Sequence, residues 1–457
     1  MEPANIAFGG GATETFLHPL TVLWVLIAVG LMLTLPRNRV IVPFLVSFFT
    51  IPLAQVLLVG GLHFPVLRIL ILAGLVRRAM SSSAPGFPGG FNAVDRVVVL
   101  WTVSILTINS LAWMELPAFI KLAGDFLDAL GGYLVVRFLI PDRAAVRRTV
   151  KVLALVCLIQ GICMVSEQFT HQNVFAFLGE NQPTIREGHV RSEGSMGTLF
   201  GGTFAGVLIP MFLWLWKERR SRAAACAGIV GATAMVFASH ASTSWMAYGA
   251  GLFGLGFWPL RKHMRVIRWG IVATLIGLHL VMHGPVWSLI EKIDLTGGSS
   301  SYHRYMLVDN CIRHFGDWWL LGFKHPGMWG FDMWDLCNQF VAVSISGGLI
   351  SLILFIAIYS RSLGAIGNAR KRVSGHGRRE WFIWCLGATL FANVVASFGI
   401  NYMLQLLMLL FPLLAFVAVA AFDARRVALR GVKPWREEHF ASSPAATGVD
   451  LPLGDPI

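Results

Sequence analysis

Apolar residues recur along this chain in long runs rather than in narrow stripes. Runs able to cross the roughly 30 Å of a bilayer's hydrocarbon fall near 17–35, 41–62, 97–114, 150–168, 197–216, 224–241, 243–259, 267–284, 341–360, 381–399 and 402–422. Two more are less regular: 64–76 is short and broken by Arg68, and 116–140 carries Lys121, Asp125 and Asp128. Together they predict an all-α polytopic membrane protein with about 12–13 transmembrane helices. Polar residues collect instead in a few loops, of which 285–340 is by far the largest.

Composition agrees with that class. The chain is 56% hydrophobic and 13% charged, with a mean hydropathy of +0.66, far more apolar than a soluble domain. A net charge of +13 can signal nucleic acid, but in a membrane chain excess Lys and Arg is first a topology signal, and no nucleic-acid partner is expected. The stretches 37–39, 77–96, 137–151, 217–222, 261–268, 361–379 and 425–436 hold 29 of the 37 Lys and Arg residues, and the alternate loops hold 8. The positive-inside rule makes the first set cytoplasmic. Loop 285–340 then faces outside, as does the N-terminus with Glu2 and Glu14, and the basic C-terminus lies inside. No basic region precedes the first apolar run, so no cleaved signal peptide is expected.

Residues 81–90, SSSAPGFPGG, have the composition of a flexible connector, and 441–457 that of a disordered tail. The chain divides into N-terminal membrane helices (1–140), a core with the large loop (141–362), C-terminal helices with a basic tail (363–440) and the terminal tail (441–457). No internal repeat of the transporter kind is visible. Four of the six cysteines, Cys157, Cys163, Cys226 and Cys385, sit in apolar runs, and no metal-ligand spacing appears. Cys311 and Cys337 share the large loop and either pair in an oxidising compartment or remain free thiols.

Two outer loops carry the chemistry. Loop 285–340 interleaves His303, Arg304, Asp309, Arg313, His314, Asp317, Lys324, His325, Asp332, Asp335, Asn338 and Gln339 with Trp318, Trp319, Trp329 and Trp334. Titratable groups beside flat aromatic faces can bind a sugar or a phosphate. Within it, Tyr302, Tyr305, Met306, Val308, Cys311, Ile312 and Phe315 recur at spacings of three and four, predicting a helix over about 301–315 that lies along the membrane surface, with Arg304, Asp309 and Arg313 away from the centre of that stripe. The shorter loop 170–197 places Arg186, Glu187, His189, Arg191 and Glu193 just before a helix opening with Gly197, Gly201, Gly202 and Gly206. Its guanidiniums suit phosphate oxygens, or they pair with the neighbouring glutamates.

REGHVRSEG before a glycine-rich helix ending in Pro210, the turn SHASTSW, then SYHRY, DWWLLG, DLCNQF and the SGGL of 346–349, in this order over about 167–360, resemble the O-antigen ligase and polymerase superfamily. Where many members have a His-Asn pair, Cys337 stands before Asn338, a form more like the polysaccharide polymerases and exopolysaccharide proteins. The resemblance implies a GT-C-like glycosyltransferase of the bacterial inner membrane. It would act on the extracytoplasmic face and transfer glycan from a polyprenyl (undecaprenyl) diphosphate carrier to a glycan or lipid acceptor, as in O-antigen, lipopolysaccharide or exopolysaccharide biosynthesis. It implies no nucleotide sugar, metal or other cofactor, and membrane lipids and other polysaccharide assembly proteins as neighbours.

Such a transfer needs cations for the departing diphosphate, a proton acceptor for the incoming hydroxyl, and groups that orient sugars. Arg191, Arg304 and Arg186 are the candidate diphosphate ligands, and Asp335, His325 and His303 the candidate bases. Asn338 and Gln339 can hydrogen-bond sugar hydroxyls; Trp319 and Trp334 can stack on sugars, although two of the four loop tryptophans are expected in an interfacial belt. Two other classes remain open: a transporter or flippase for lipid-linked sugars, which would bury ionisable residues along a path, and a non-catalytic scaffold of an export system.

Overall fold

The structure, a computed structural model, describes residues 15–59, 62–81, 86–186, 188–292 and 300–430. The acidic N-terminus, residues 82–85 of the 81–90 connector, Glu187 and the 441–457 tail lie outside the described residues. The chain opens with α1 (Pro19–Thr34) and α2 (Arg37–Thr50), then a hairpin of β1 (Val56–Val59) and β2 (Leu62–Pro65), then α3 (Val66–Ala79) and α4 (Ala93–Trp113). Next, α5 (Leu116–Phe126) runs through a π-turn at Leu127–Gly131 into α6 (Gly132–Leu139), followed by α7 (Arg143–Thr170). A second hairpin, β3 (Thr184–Arg186) with β4 (His189–Arg191), precedes α8 (Thr198–Trp216), α9 (Arg222–Ser239), α10 (Ser242–Gly256) and α11 (Met264–Val281). The large loop folds as α12 (Leu289–Lys292), α13 (Ser300–Arg313) and α14 (Phe315–Trp318); α15 (Gln339–Arg372), α16 (Gly377–Ala396) and α17 (Leu404–Arg430) complete the chain.

Among the described residues the fold is therefore all-α apart from two short hairpins, and seven of the helical segments described are at least 18 residues long and apolar enough to cross a membrane. α8 and α17 form its centre, each with 83% of its most apolar window buried, whereas α11 buries none of its residues. Small residues set the helix spacing. A Cβ on Gly206 would lie 2.8 Å from the Ser244 carbonyl oxygen, and one on Gly231 would lie 2.5 Å from that of Cys157, so α8 meets α10, and α9 meets α7, backbone to backbone.

Loops alternate between the two ends of the bundle. At one end the basic loops touch one another: Arg143 and Arg147 pair with Glu218 (3.5 and 3.1 Å), and Arg261 and Arg370 pair with Glu380 (3.0 and 3.7 Å). At the other end gather the first hairpin, loop 170–197 and the large loop; Gln55 Nε2, for example, donates to the carbonyl of Leu178 at 2.6 Å.

Two expectations need correction. The run 41–62 is not one span: α2 ends at Thr50, and β1 pairs antiparallel with β2. A continuous apolar run cannot by itself distinguish strand from helix, and Pro52 with the β-branched Val56 and Val59 favours a strand after α2. Asp95 and Arg137, read as loop charges, lie in α4 and α6 and form a buried pair at 3.0 Å, joined by the Tyr133 hydroxyl. Arg68, which interrupts 64–76, is matched by Asp128 through two bonds of 2.9 and 2.7 Å. A helix does form where the sequence places one, as α13. Its stripe is split: Cys311 is buried in the loop core with Met306 and Val308 packed against it, while Tyr302, Ile312 and Phe315 are exposed. Ser301, Arg304, Leu307 and Asn310 are buried as well.

The motifs DWWLLG and SGGL meet at a helix break. At Gly348 (φ 65°, ψ −169°) α15 loses its helical geometry, which separates the Ile345 carbonyl from the Leu349 N–H that it would otherwise receive. The loop replaces that bond with two: Phe323 N–H donates to Ile345 O, and Leu349 N–H to Trp319 O, both at 2.8 Å. Gly322 (φ 74°) is needed at this crossing, because a Cβ there would stand 2.0 Å from Ile345 O.

Candidate functional site

Successive residues on a helix point about 100° apart, so α13 presents His303 and Arg304 to different neighbours. Arg304, 5% exposed, points inward. Its Nη2 donates to Thr243 Oγ1 at 3.0 Å, and that hydroxyl donates to the carbonyl of Gly399 at 3.0 Å. Thr243 opens α10 and Gly399 lies in the break between α16 and α17, so this chain of bonds joins three distant parts of the sequence.

His303 instead faces the loop end, where its Nε2 lies 2.9 Å from the carbonyl oxygen of Asp335. One ligand atom each from His303, Asp335 and Cys337 lies within 4.8 Å of the others. Asp335 is exposed and His303 half-buried, which suits groups that trade protons with a ligand. Burial pushes the Cys337 thiol up to about 12 against the pull of Arg304, so the sulfur is protonated and no nucleophile at neutral pH. The imidazole, carboxylate and thiol are a donor set that zinc can use, but binding would first have to remove that proton.

The other predicted loop residues divide clearly. Asn338 caps α15, its side chain accepting from Phe340 N (3.0 Å) and Val341 N (3.3 Å), and Gln339 Oε1 accepts from Tyr402 N at 2.5 Å. Both are buried and tie the start of α15 to the α16–α17 break. Trp318 and Trp329 are buried within the loop, where their indoles donate to Cys311 O (2.7 Å) and Asp317 Oδ2 (3.2 Å); neither belongs to an interfacial belt. Trp319 and Trp334 are exposed. His325 stands edge-on to Trp113 at the end of α4, whereas His303 has the Asp335 contact. Cys311 and Cys337 are free thiols.

Loop 170–197 has a structural half and a presenting half. Glu167 accepts from the N–H groups of Glu193 (2.7 Å) and Gly194 (2.9 Å), and the Glu193 carboxylate accepts from Thr198 N at the start of α8 (2.8 Å). These bonds fix the SEG end of REGHVRSEG. The hairpin ahead of it pairs Arg186 with His189, leaving Arg186 exposed and Arg191 half-buried. The His189 ring stacks on His240 with centroids 4.8 Å apart and planes 9° from parallel. Burial, His189 and Arg191 together lower the pKa of His240, which lies just past the end of α9.

The link between α9 and α10 thus meets both outer loops: His189 stacks on His240 and Ser192 N donates to Ala238 O (3.1 Å), which brings the strand holding Arg191 to the end of α9, and Arg304 bonds Thr243 at the start of α10. His240 and Thr243 were not singled out from sequence, although the cluster of small polar residues between two apolar helices was visible. A separate cavity of about 400 Å³, lined by residues that include Arg37, Asp142 and Arg148, lies at the start of α7, roughly 40 Å along that helix from the hairpin end. No protein-family model matches the chain, and no curated protein matches it.

Proposed function

We propose that this chain is a membrane glycosyltransferase that lengthens or ligates glycan carried on a polyprenyl diphosphate, with polymerisation favoured. In this reading the shorter helices complete a GT-C-like body of 12–13 spans in a bacterial inner membrane, with the large loop outside. The observation that carries it is that the strand holding Arg191 and the helix holding Arg304 meet the same link between α9 and α10, the first through His189 on His240 and Ser192 N to Ala238 O (3.1 Å), the second through Thr243, with the His303–Asp335 contact also on α13. Two guanidiniums near one turn suit a diphosphate leaving group, whose developing charge preorganised donors stabilise. His303 or Asp335 then accepts the acceptor hydroxyl's proton, and the exposed Trp319 and Trp334 offer faces for sugars. The ion pairs Arg68–Asp128 and Asp95–Arg137 are each matched within the helices, which favours struts over a transport path.

The test is direct. Purified protein in lipid nanodiscs, supplied with a synthetic polyprenyl-diphosphate-linked repeat unit, is expected to form longer glycan and release polyprenyl diphosphate. Donor left intact in the presence of its natural acceptor glycan would contradict the reading.

A further inference from the structure

The stacked pair His189–His240 is a cluster that the transfer reaction described above does not use. One imidazole comes from the hairpin and the other from the α9–α10 turn, in face-to-face contact at 4.8 Å, with Arg191 acting on His240. His240 holds a left-handed backbone (φ 43°), an uncommon state for a residue other than glycine. The rings are only partly covered, His189 being exposed and His240 half-buried.

We propose that His189, His240 and Arg191 form a proton-linked phosphate subsite, in which the imidazole pair takes up a proton as a phosphate of the carrier binds. This rests on the polyprenyl-diphosphate reading above. Two positive charges on rings in contact repel, and the Arg191 guanidinium adds to that repulsion, so the unliganded pair resists charging. An anion at the hairpin reverses the balance. It favours the imidazolium, which then donates a hydrogen bond of the charge-assisted kind. The carbonyl end of the 18-residue α9 adds to this, since a helix C-terminus favours a cation. The charged groups facing His240 are His189 and Arg191 of β4; Arg186 lies opposite His189 in the hairpin, and Arg304 approaches the same turn through Thr243. Glu193, the next carboxylate along that strand, is held at Thr198 N. Because both ligand phosphates would be esterified, the proton must come from solvent to the protein and remain there while the ligand is bound.

The probe is a farnesyl diphosphate esterified at its second phosphate with a single N-acetylglucosamine, which has no titrating phosphate near neutral pH. Its binding to the full chain in phosphatidylcholine nanodiscs is followed by calorimetry in two buffers of different ionisation enthalpy. About half a proton or more should be taken up per probe bound near pH 7, and uptake should fall to near zero in His240→Asn, a residue that tolerates the left-handed backbone. His189→Gln, at an exposed hairpin position, should still bind but shift the pH of greatest uptake upward, because His240 loses a repelling neighbour. Binding with no proton uptake, or uptake unchanged in both variants, overturns the subsite and leaves the donor reading standing. No binding at all removes both. If phosphatidylglycerol in the nanodisc produces the same uptake without probe, the subsite belongs to a lipid headgroup and the carrier assignment is wrong.

Discussion

Arg304 and Thr243 are 61 residues apart in sequence and 3.0 Å apart in space. The bond continues from Thr243 to the carbonyl of Gly399, so one hydroxyl holds a buried guanidinium in place from the side of the bundle. Replacing Thr243 with Val keeps the shape and removes both bonds. A cost of about 2 kcal/mol is expected, since hydrogen bonds to charged groups contribute more than neutral ones. Thermal unfolding in detergent should show a clear drop for Thr243→Val and little change for Thr243→Ser.

The break in α15 makes a second prediction, independent of function. Gly322→Ala would place a methyl carbon 2.0 Å from Ile345 O at a positive φ, so a loss of more than about 2 kcal/mol is expected. Gly249→Ala, in α10 with nothing within 4 Å of its Cβ, serves as the control and should be neutral or slightly stabilising. The melting temperatures of the two variants decide it.

Cys337 should be an unreactive thiol. Burial pushes it up to about 12, so the thiolate required for alkylation is scarce at pH 8 and remains scarce at pH 9. Mass spectrometry of iodoacetamide-treated protein should find Cys337 unmodified in the folded state and modified after denaturation. Rapid labelling of folded protein at pH 8 would contradict the burial of the Cys337 thiol.

Glu180 gives stability a pH dependence. Burial raises it to about 7 from the ordinary glutamate value of 4.5, so the folded state holds this proton more tightly than the unfolded one. Its stabilising contribution is complete below about pH 4.5 and is lost as pH rises through about 7. Glu180→Gln removes that dependence. At pH 8 the variant should be more stable by about 1 kcal/mol, a figure discounted for partial solvent exposure, with the difference shrinking toward pH 5. Thermal unfolding across that range checks it.

Much of the architecture was legible because membrane helices announce themselves by length and apolarity, and because loop charge alternates between the two ends. Each predicted run does coincide with helix, except that 41–62 ends in a hairpin. What could not be read was which polar residues turn inward. On α13 both Cys311 of the apolar stripe and the charged Arg304 are buried, while Tyr302 is exposed, because lipid-facing and core-facing surfaces have similar polarity. The site was half visible. Arg191, His303, Arg304 and Asp335 stand out by type, but the residues that receive their loops, His240 and Thr243 on either side of the α9–α10 link, are ordinary ones whose partners are far away in sequence. Asn338 and Gln339 stood out equally and are engaged as a helix cap and a backbone tie; an amide side chain carries no sign of which partner it has found.

The central claim is that two guanidiniums, not merely two positive charges, hold the carrier diphosphate. Lysine keeps the charge and loses the paired donors. Arg191→Lys and Arg304→Lys should therefore each cut glycan product by roughly a hundredfold or more while leaving membrane insertion and protein level unchanged. The decisive measurement is polymer or ligated product from cells carrying either variant at matched protein levels. Loss of product in both is the predicted result, and near-normal product from both would contradict the diphosphate-clamp account.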